Sequence, residues 1–271
     1  MSPPLTLLVD NGSLEPAAPL ALRELAARLA KAIDLPVEPI SLLHSSGVPA
    51  AKLAGKAAEI LEPALERRIA AGQDKFFILP LFFGPSGALT DYLPARLAHL
   101  QGKHAGFSAK VAAPLFGAGD DRLARILADH VRSAKMQTPR VALVDHGSPV
   151  AAVTDVRNEL AKQLAARLGS KVLAVAPCSM ERRPEPAYDF NEPLLAGLLD
   201  TAPWTESRVV VALQFLSPGR HAGKDGDVAK ICSAAMAKHP KLKTQPTALV
   251  GVHPLLVEIL ADRWRAATLL A

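Results

Sequence analysis

Short apolar runs rich in Val, Leu and Phe alternate along the chain with longer segments of helical period, a pattern that predicts repeated β–α units. In the first half the predicted strands are Leu5–Val9, Val37–Leu42, Lys75–Phe83 and Lys110–Leu115. The helices between them fall near Leu20–Ile33, Pro49–Ala70, Leu93–Leu100 and Asp121–Ala134. The second half repeats the scheme with strands Arg140–Val144, Lys171–Ala176, Arg208–Leu216 and Pro246–Val250. Its helices fall near Val153–Leu168, Glu192–Leu199, Asp225–Lys238 and Leu255–Thr268. Strands that are apolar on both faces and joined by helices imply a parallel sheet covered on both sides.

The chain also reads as one unit written twice. Val9-Asp10-Asn11-Gly12-Ser13 returns as Val144-Asp145-His146-Gly147-Ser148, 135 residues later in a chain of 271. Phe83-Gly84-Pro85 aligns with Leu216-Ser217-Pro218, and Leu115-Phe116-Gly117 with Leu249-Val250-Gly251, at offsets of 133 and 134. Such a duplication predicts one repeat over 1–135 and another over 139–271, joined by the polar, proline-ended stretch Ser133–Pro139. Each repeat is expected to be a doubly wound α/β domain with a four-stranded parallel sheet and flanking helices. Eight β–α units also fit a closed (β/α)₈ barrel, the rival architecture. In either case chemistry belongs at the carboxyl edge of the strands.

Composition narrows the partners. Hydrophobic residues make up 49% of the chain, enough for a sizeable core, while aromatics are only 4%. A formal charge of +5 favours an anionic partner. Nucleic acid is disfavoured, because there is no long Lys/Arg run and no aromatic stacking series. Cys178 and Cys232 have neither metal-type spacing nor a disulfide framework, and read as buried small hydrophobes. The opening segment is too short and too soon interrupted by Asp10 for a signal peptide, and no apolar run is long enough to span a membrane. These features predict a soluble cytoplasmic protein; the sequence does not choose between monomer and homodimer.

Three successive strand ends of the second half each carry a group able to titrate or bind metal: His146, Glu181 and His221. Neighbouring parallel strands lie about 5 Å apart, so these ends can converge. Two imidazoles and a carboxylate suit a divalent first-row metal with exchangeable positions. The first half lacks the set, with Asn11 and Ala88 at the places of the two histidines and only His44 opposite Glu181. His253 is a weaker candidate, suited to packing or a helix start, while His99, His104, His130 and His239 are expected to be solvated. His146-Gly147-Ser148 lacks the Gly-x-Ser-x-Gly frame of a serine hydrolase, and the glycine patterns of nucleotide-binding loops are absent.

Three segments carry a family resemblance. They are Asp145-His146-Gly147-Ser148; Ser179-Met180-Glu181-Arg182-Arg183 followed by Tyr188-Asp189-Phe190-Asn191-Glu192-Pro193; and Phe215-Leu216-Ser217-Pro218-Gly219-Arg220-His221-Ala222-Gly223-Lys224-Asp225. In these the chain resembles the sirohydrochlorin cobaltochelatase and ferrochelatase family, ATP-independent class II chelatases of cobalamin and sirohaem synthesis. The likeness is close over Val144–Val228 and fainter over the first half. It implies two similar flavodoxin-like α/β domains and insertion of Co²⁺ or Fe²⁺ into sirohydrochlorin or a close tetrapyrrole. It also implies His146 and His221 as metal ligands and proton acceptors, with Glu181 as their acidic partner. Arg182, Arg183, Arg220, Lys224 and Ser148 would meet the carboxylates of the macrocycle, and no cofactor beyond the substrate metal, and no ATP, is expected. A non-catalytic metal or tetrapyrrole carrier is the alternative, since a degenerate half could have lost something catalysis needs.

Overall fold

The computed structural model describes residues 4–268. It contains two separate four-stranded sheets, both all-parallel. The first holds β1 (Leu5–Asp10), β2 (Val37–Ser41), β3 (Lys75–Pro80) and β4 (Ser108–Val111), ordered β2-β1-β3-β4. The second holds β5 (Arg140–Asp145), β6 (Ala174–Ser179), β7 (Arg208–Leu213) and β8 (Lys243–Pro246), ordered β6-β5-β7-β8. Two open sheets of identical strand order remove the closed barrel and carry the duplication into three dimensions.

The chain forms two compact units. The first, residues up to Gly117 together with Pro254 onward, surrounds the first sheet with α1 (Ala17–Ile33), α2 (Leu61–Ala70), α3 (Leu93–Lys103) and the C-terminal α8 (Pro254–Thr268). Helix α8 packs on α1 and buries Leu255, Leu256, Ile259 and Leu260. Farther along the same helix, Arg263 donates to the carbonyls of Pro114 and Leu115 at 3.0 and 2.8 Å. The second unit, Ala118–His253, surrounds the second sheet with α4 (Arg122–Ser133), α5 (Ala151–Leu168), α6 (Leu195–Leu199) and α7 (Asp227–Lys238). Here α4 packs on α5 and β7. Helix α4 is thus counted in the second compact unit and α8 in the first.

Several boundaries differ from the sequence pattern for physical reasons. The helix predicted over Pro49–Ala70 is broken: a short 3-10 turn, Ala50–Leu53, ends where Ala54 and Gly55 turn left-handed at φ 55° and 78°. The α-helix resumes only at Leu61. Strand β6 starts at Ala174 rather than Lys171, because a 3-10 turn over Gly169–Lys171 follows α5 directly. Strands β4 and β8 lie earlier than predicted. Both are edge strands with no buried position, so the apolar run beside each one misplaces it. The helix predicted over Glu192–Leu199 keeps only its last turn, Leu195–Leu199.

Each sheet has its own core, Leu7, Val9, Ile40, Ile78 and Leu100 in the first and Val144, Cys178, Leu195, Val211 and Leu213 in the second. Cys178 and Cys232 are buried, unpaired in any disulfide, and burial pushes both thiols up. No described helix is long and apolar enough to cross a membrane.

Several buried groups are polar, and one of them is a carboxyl with an unpaired oxygen in the first sheet. Asp10, at the end of β1, is buried and one of its carboxylate oxygens has no hydrogen-bond partner. Burial pushes its pKa up to about 6, against smaller opposing pulls from Ser41 and the Gly12 amide. A carboxyl whose pKa is raised by folding costs stability above that value. The cost is present above about pH 6 and is relieved as pH falls toward the ordinary carboxylate range. Asp10→Asn is therefore expected to stabilise the protein by about 1–3 kcal/mol at pH 8. The gain should fade by about pH 4, which denaturant unfolding at both pH values measures. Equal gains at both would remove the charge as the cause.

Candidate metal site

In a parallel sheet of this order, β5 is the strand where the winding reverses: β6 lies on one side and β7 on the other. Loops leaving the carboxyl ends of two such strands run in opposite directions and open a crevice, the usual ligand position in doubly wound folds. His146 directly follows β5, Glu181 follows β6 by two residues, and His221 lies in the long loop after β7. The strand register sets the first two close together, with Asp145 opposite Ser179. The Glu181 amide then donates to the His146 carbonyl at 3.2 Å.

Gly147 makes that approach possible. Its φ is +92°, and a Cβ there would stand 1.9 Å from the Glu181 carbonyl oxygen. Only glycine fits both the backbone angle and the contact. Gly12 repeats the arrangement in the first unit, with φ +91° and Leu43 O at 1.8 Å from an added Cβ.

The side chains meet as follows. His146 Nε2 lies 3.5 Å from Glu181 Oε1. The His146 and His221 rings stand edge to face, with centroids 4.6 Å apart and planes at 71°. His146 and Glu181 are each about half exposed, at 49% and 59%, so the pair is open to a large ligand. Two donors sharing a tetrahedral ion at about 2.0–2.1 Å would stand about 3.3 Å apart, close to the His146–Glu181 spacing. Among the described residues, however, no group of three or more His, Cys, Asp or Glu side chains is arranged to hold a metal ion. The three predicted residues are neighbours, but they do not form a preassembled three-ligand set.

Hydrogen bonding fixes which nitrogen each imidazole offers. His146 Nδ1 is 3.0 Å from the Gly147 carbonyl, and His221 Nδ1 is 2.8 Å from Asp227 Oδ2. Both partners accept only, so Nδ1 carries the proton in each ring and the neutral imidazole keeps its lone pair on Nε2. The His221 bond holds the Asp227 carboxyl below the usual carboxylate range, so it is an anion at neutral pH. Asp227 was not singled out from sequence. It follows the Gly-rich loop at the first turn of α7, and its offset of six residues from His221 gives no periodic signal.

The predicted carboxylate-binding groups divide. Arg182 is tied to Glu192 at 2.7 Å and to Asp189 at 3.1 Å, so it braces the loop after β6. Arg183 donates to the Tyr188 hydroxyl at 3.0 Å and stacks over that ring at 5.2 Å. Arg220 is 80% exposed beside Asp227, and Lys224 is exposed. The Ser148 hydroxyl accepts from the Val150 amide at 3.0 Å, and its backbone is bonded on both sides to the Asn191 side chain.

Other histidines sit elsewhere. His130, predicted to be solvated, is buried in α4, edge-on to His253 at 5.4 Å. Burial, and then His253, lower its pKa. It lies on the apolar face of α4 among Ile126, Leu127 and Val131, which overrides its polarity. His253 reaches toward Asp129 at 3.6 Å, a packing role. His239 pairs with Asp200 at 2.6 Å, while His44 is exposed and alone among the strand-end imidazoles of the first sheet.

An open pair of imidazoles and a carboxylate thus stands at the switch point of a doubly wound α/β sheet. Residues 140–267 match the family model described as CbiX. No curated protein sequence matches the chain. Among solved structures, SirB from Bacillus subtilis with Fe3+ aligns with 98% of this chain and 96% of its own, at TM-score 0.71 and 16% identity. The sirohydrochlorin chelatase SirB from Bacillus subtilis subspecies spizizenii, in complex with cobalt, aligns over 98% and 95% at TM-score 0.72 and 16% identity. CbiX, described as the terminal enzyme for biosynthesis of siroheme in denitrifying bacteria, aligns over 97% and 99% at TM-score 0.63 and 21% identity. The whole two-sheet fold, beyond the matched repeat, is thus that of these proteins.

Proposed function

We propose that the protein is a chelatase that inserts a divalent cation, Co²⁺ or Fe²⁺, into sirohydrochlorin or a close tetrapyrrole, without ATP. The observation that carries this reading is the His146–Glu181–His221 cluster at the β5 switch point, within the residues that match the CbiX family model. The similar structures named as sirohydrochlorin chelatase, and recorded with cobalt or Fe3+, support the same activity.

Insertion requires a metal that is held weakly enough to leave and two pyrrole N–H protons that must go elsewhere. An open cluster that does not close around the ion by itself suits the first need. In the proposed reaction the Nε2 lone pairs of His146 and His221 bind the metal and pass it to the pyrrole nitrogens. The displaced protons go to the vacated imidazole nitrogens and to Glu181, which stand beside the reacting atoms. Metal and macrocycle enter, and metallated macrocycle and two protons leave. Arg183, Arg220 and Lys224 bind peripheral carboxylates, while Arg182 stiffens the loop that presents Arg183. Two imidazoles and a carboxylate suit cobalt, iron and nickel alike, so supply sets the choice among them. We further place the protein in the cytoplasm, as a monomer or homodimer that uses no nucleic acid or membrane.

The test follows the absorbance change from free to metallated sirohydrochlorin with purified protein and Co²⁺ or Fe²⁺, in the absence of ATP. The expected result is turnover well beyond one equivalent of product. A signal that stops at one equivalent would identify a carrier instead, and no metal-dependent acceleration would remove the chelatase reading.

A further inference from the structure

A fully buried arginine beside the second sheet is not where stability would put it. Arg157, on α5, is 1% exposed and lies 3.7 Å from the buried Asp145 carboxylate. A buried ion pair is often replaceable by apolar side chains without loss, because desolvation offsets the attraction. This protein contains that replacement. At the 135-residue offset, Leu22 of α1 occupies the place of Arg157, with Leu25, Ala26 and Leu29 matching Leu160, Ala161 and Leu164. The first sheet folds with Leu22 buried on α1 at that aligned position and with Asp10 buried at the end of β1.

What Arg157 touches explains the difference. One guanidinium nitrogen, Nη1, donates both to the Ser179 hydroxyl and to the Asn191 carbonyl, the latter at 3.0 Å. Ser179 in turn donates to Asp145 Oδ1 at 2.7 Å, and the Gly147 amide reaches the same oxygen at 3.1 Å. The Asn191 side chain accepts from the Ser148 amide at 2.9 Å and donates to the Ser148 carbonyl at 2.9 Å. Ser179 and Asn191 are the two ends of the excursion after β6, which carries Glu181, Arg183 and Tyr188. Arg157 therefore closes the neck of that excursion, and through Ser179 and Asn191 it holds both residues that follow His146. In the first repeat the neck needs no such clasp. Ser45, four residues after Ser41, bridges directly from Ser41 at 2.8 Å to the Ser13 amide at 3.1 Å.

We infer that Arg157 is the positioning residue of the metal site: by joining Ser179 to Asn191 it fixes the His146 turn and the Glu181-bearing loop in one frame. The inference rests on the chelatase reading for its purpose, and on the hydrogen-bond network alone for its geometry.

The test uses Arg157→Leu, which recreates the first repeat's arrangement, and Arg157→Leu/Asp145→Asn, which leaves no stranded carboxylate if the single variant folds poorly. Leu164→Ala serves as a control that loosens α5 without touching the network. Amide hydrogen exchange at Gly147 and Ser148 is expected to accelerate about tenfold or more in the Arg157 variants. The β5 amides between Val141 and Val144 should keep wild-type protection, and Co²⁺ affinity measured without tetrapyrrole should fall about tenfold. Leu164→Ala should lower the melting temperature while leaving Gly147 and Ser148 exchange and Co²⁺ affinity near wild type. Folded Arg157 variants with unchanged Gly147 and Ser148 protection would overturn the inference. So would changes matched by Leu164→Ala. Amide protection requires no metal, so failure of the wild type to bind Co²⁺ would fall on the chelatase reading, while exchange still decides the role of Arg157.

Discussion

His146→Ala and His221→Ala are each expected to slow metal insertion by about 10²-fold or more, with tetrapyrrole binding largely retained. The reason is geometric. His146 is the member of the cluster that touches both others, at 3.5 Å from Glu181 and ring to ring with His221. Its loss leaves no two of the three groups in contact. His221 has a ring braced by Asp227, so its loss removes the donor whose direction is best fixed. The proposed reaction has the two imidazoles acting on one ion, so the double variant should be little worse than either single variant, as for other residues that work as a unit. His44→Ala, at the corresponding strand end of the first sheet, should keep wild-type turnover. Rates within twofold of wild type for both His146→Ala and His221→Ala would end the assignment of the metal to this cluster.

The second large effect is expected from Gly147→Ala. A Cβ at this position meets the Glu181 carbonyl at 1.9 Å in a backbone conformation that alanine adopts reluctantly. The left-handed angle alone costs about 1–2 kcal/mol, and the overlap must be relieved by moving the β5 and β6 ends apart. That motion separates His146 from Glu181. Gly12→Ala meets an equivalent overlap in the first repeat, so it supplies an internal control. Both variants should lower the melting temperature by several degrees, about 2–4 °C for each kcal/mol lost in a domain of this size. Only Gly147→Ala should also lower metal affinity and turnover, by about tenfold or more. Calorimetric melting and Co²⁺ titration of the pair measure this, and equal functional losses would show that the approach at Gly147 serves stability alone.

Much of this arrangement is legible in the chain. The 135-residue return of Val-Asp-x-Gly-Ser carries the duplication, and the common strand order is its structural form. His146 and Glu181 are legible because each stands just past an apolar strand, and His221 because it sits in the Gly-rich loop that follows β7. The edge strands β4 and β8 are displaced in the reading because they hold no buried position and leave no apolar period to follow. The packing of α4 and α8 is not legible, since an amphipathic helix shows which face it buries but not which sheet receives it. Arg157 carries a signal that hydrophobicity hides. It falls three, four and seven residues before Leu160, Ala161 and Leu164, on the stripe of α5 that is buried. An arginine on such a stripe has to be paired, and its partner could be sought among the strand-end polar groups. His130 is the converse case, a polar residue on the buried face of α4 that packs on another imidazole and has no part in the metal cluster.

The central claim is that a single divalent ion is taken up at the β5 switch point by the second repeat alone. A crystal of the protein grown with Co²⁺ and measured at the cobalt absorption edge addresses it directly. The account predicts one anomalous peak about 2.0–2.2 Å from Nε2 of both His146 and His221, with the Glu181 carboxylate turned toward it. A bound cobalt ion whose ligands exclude His146 and His221 would contradict it.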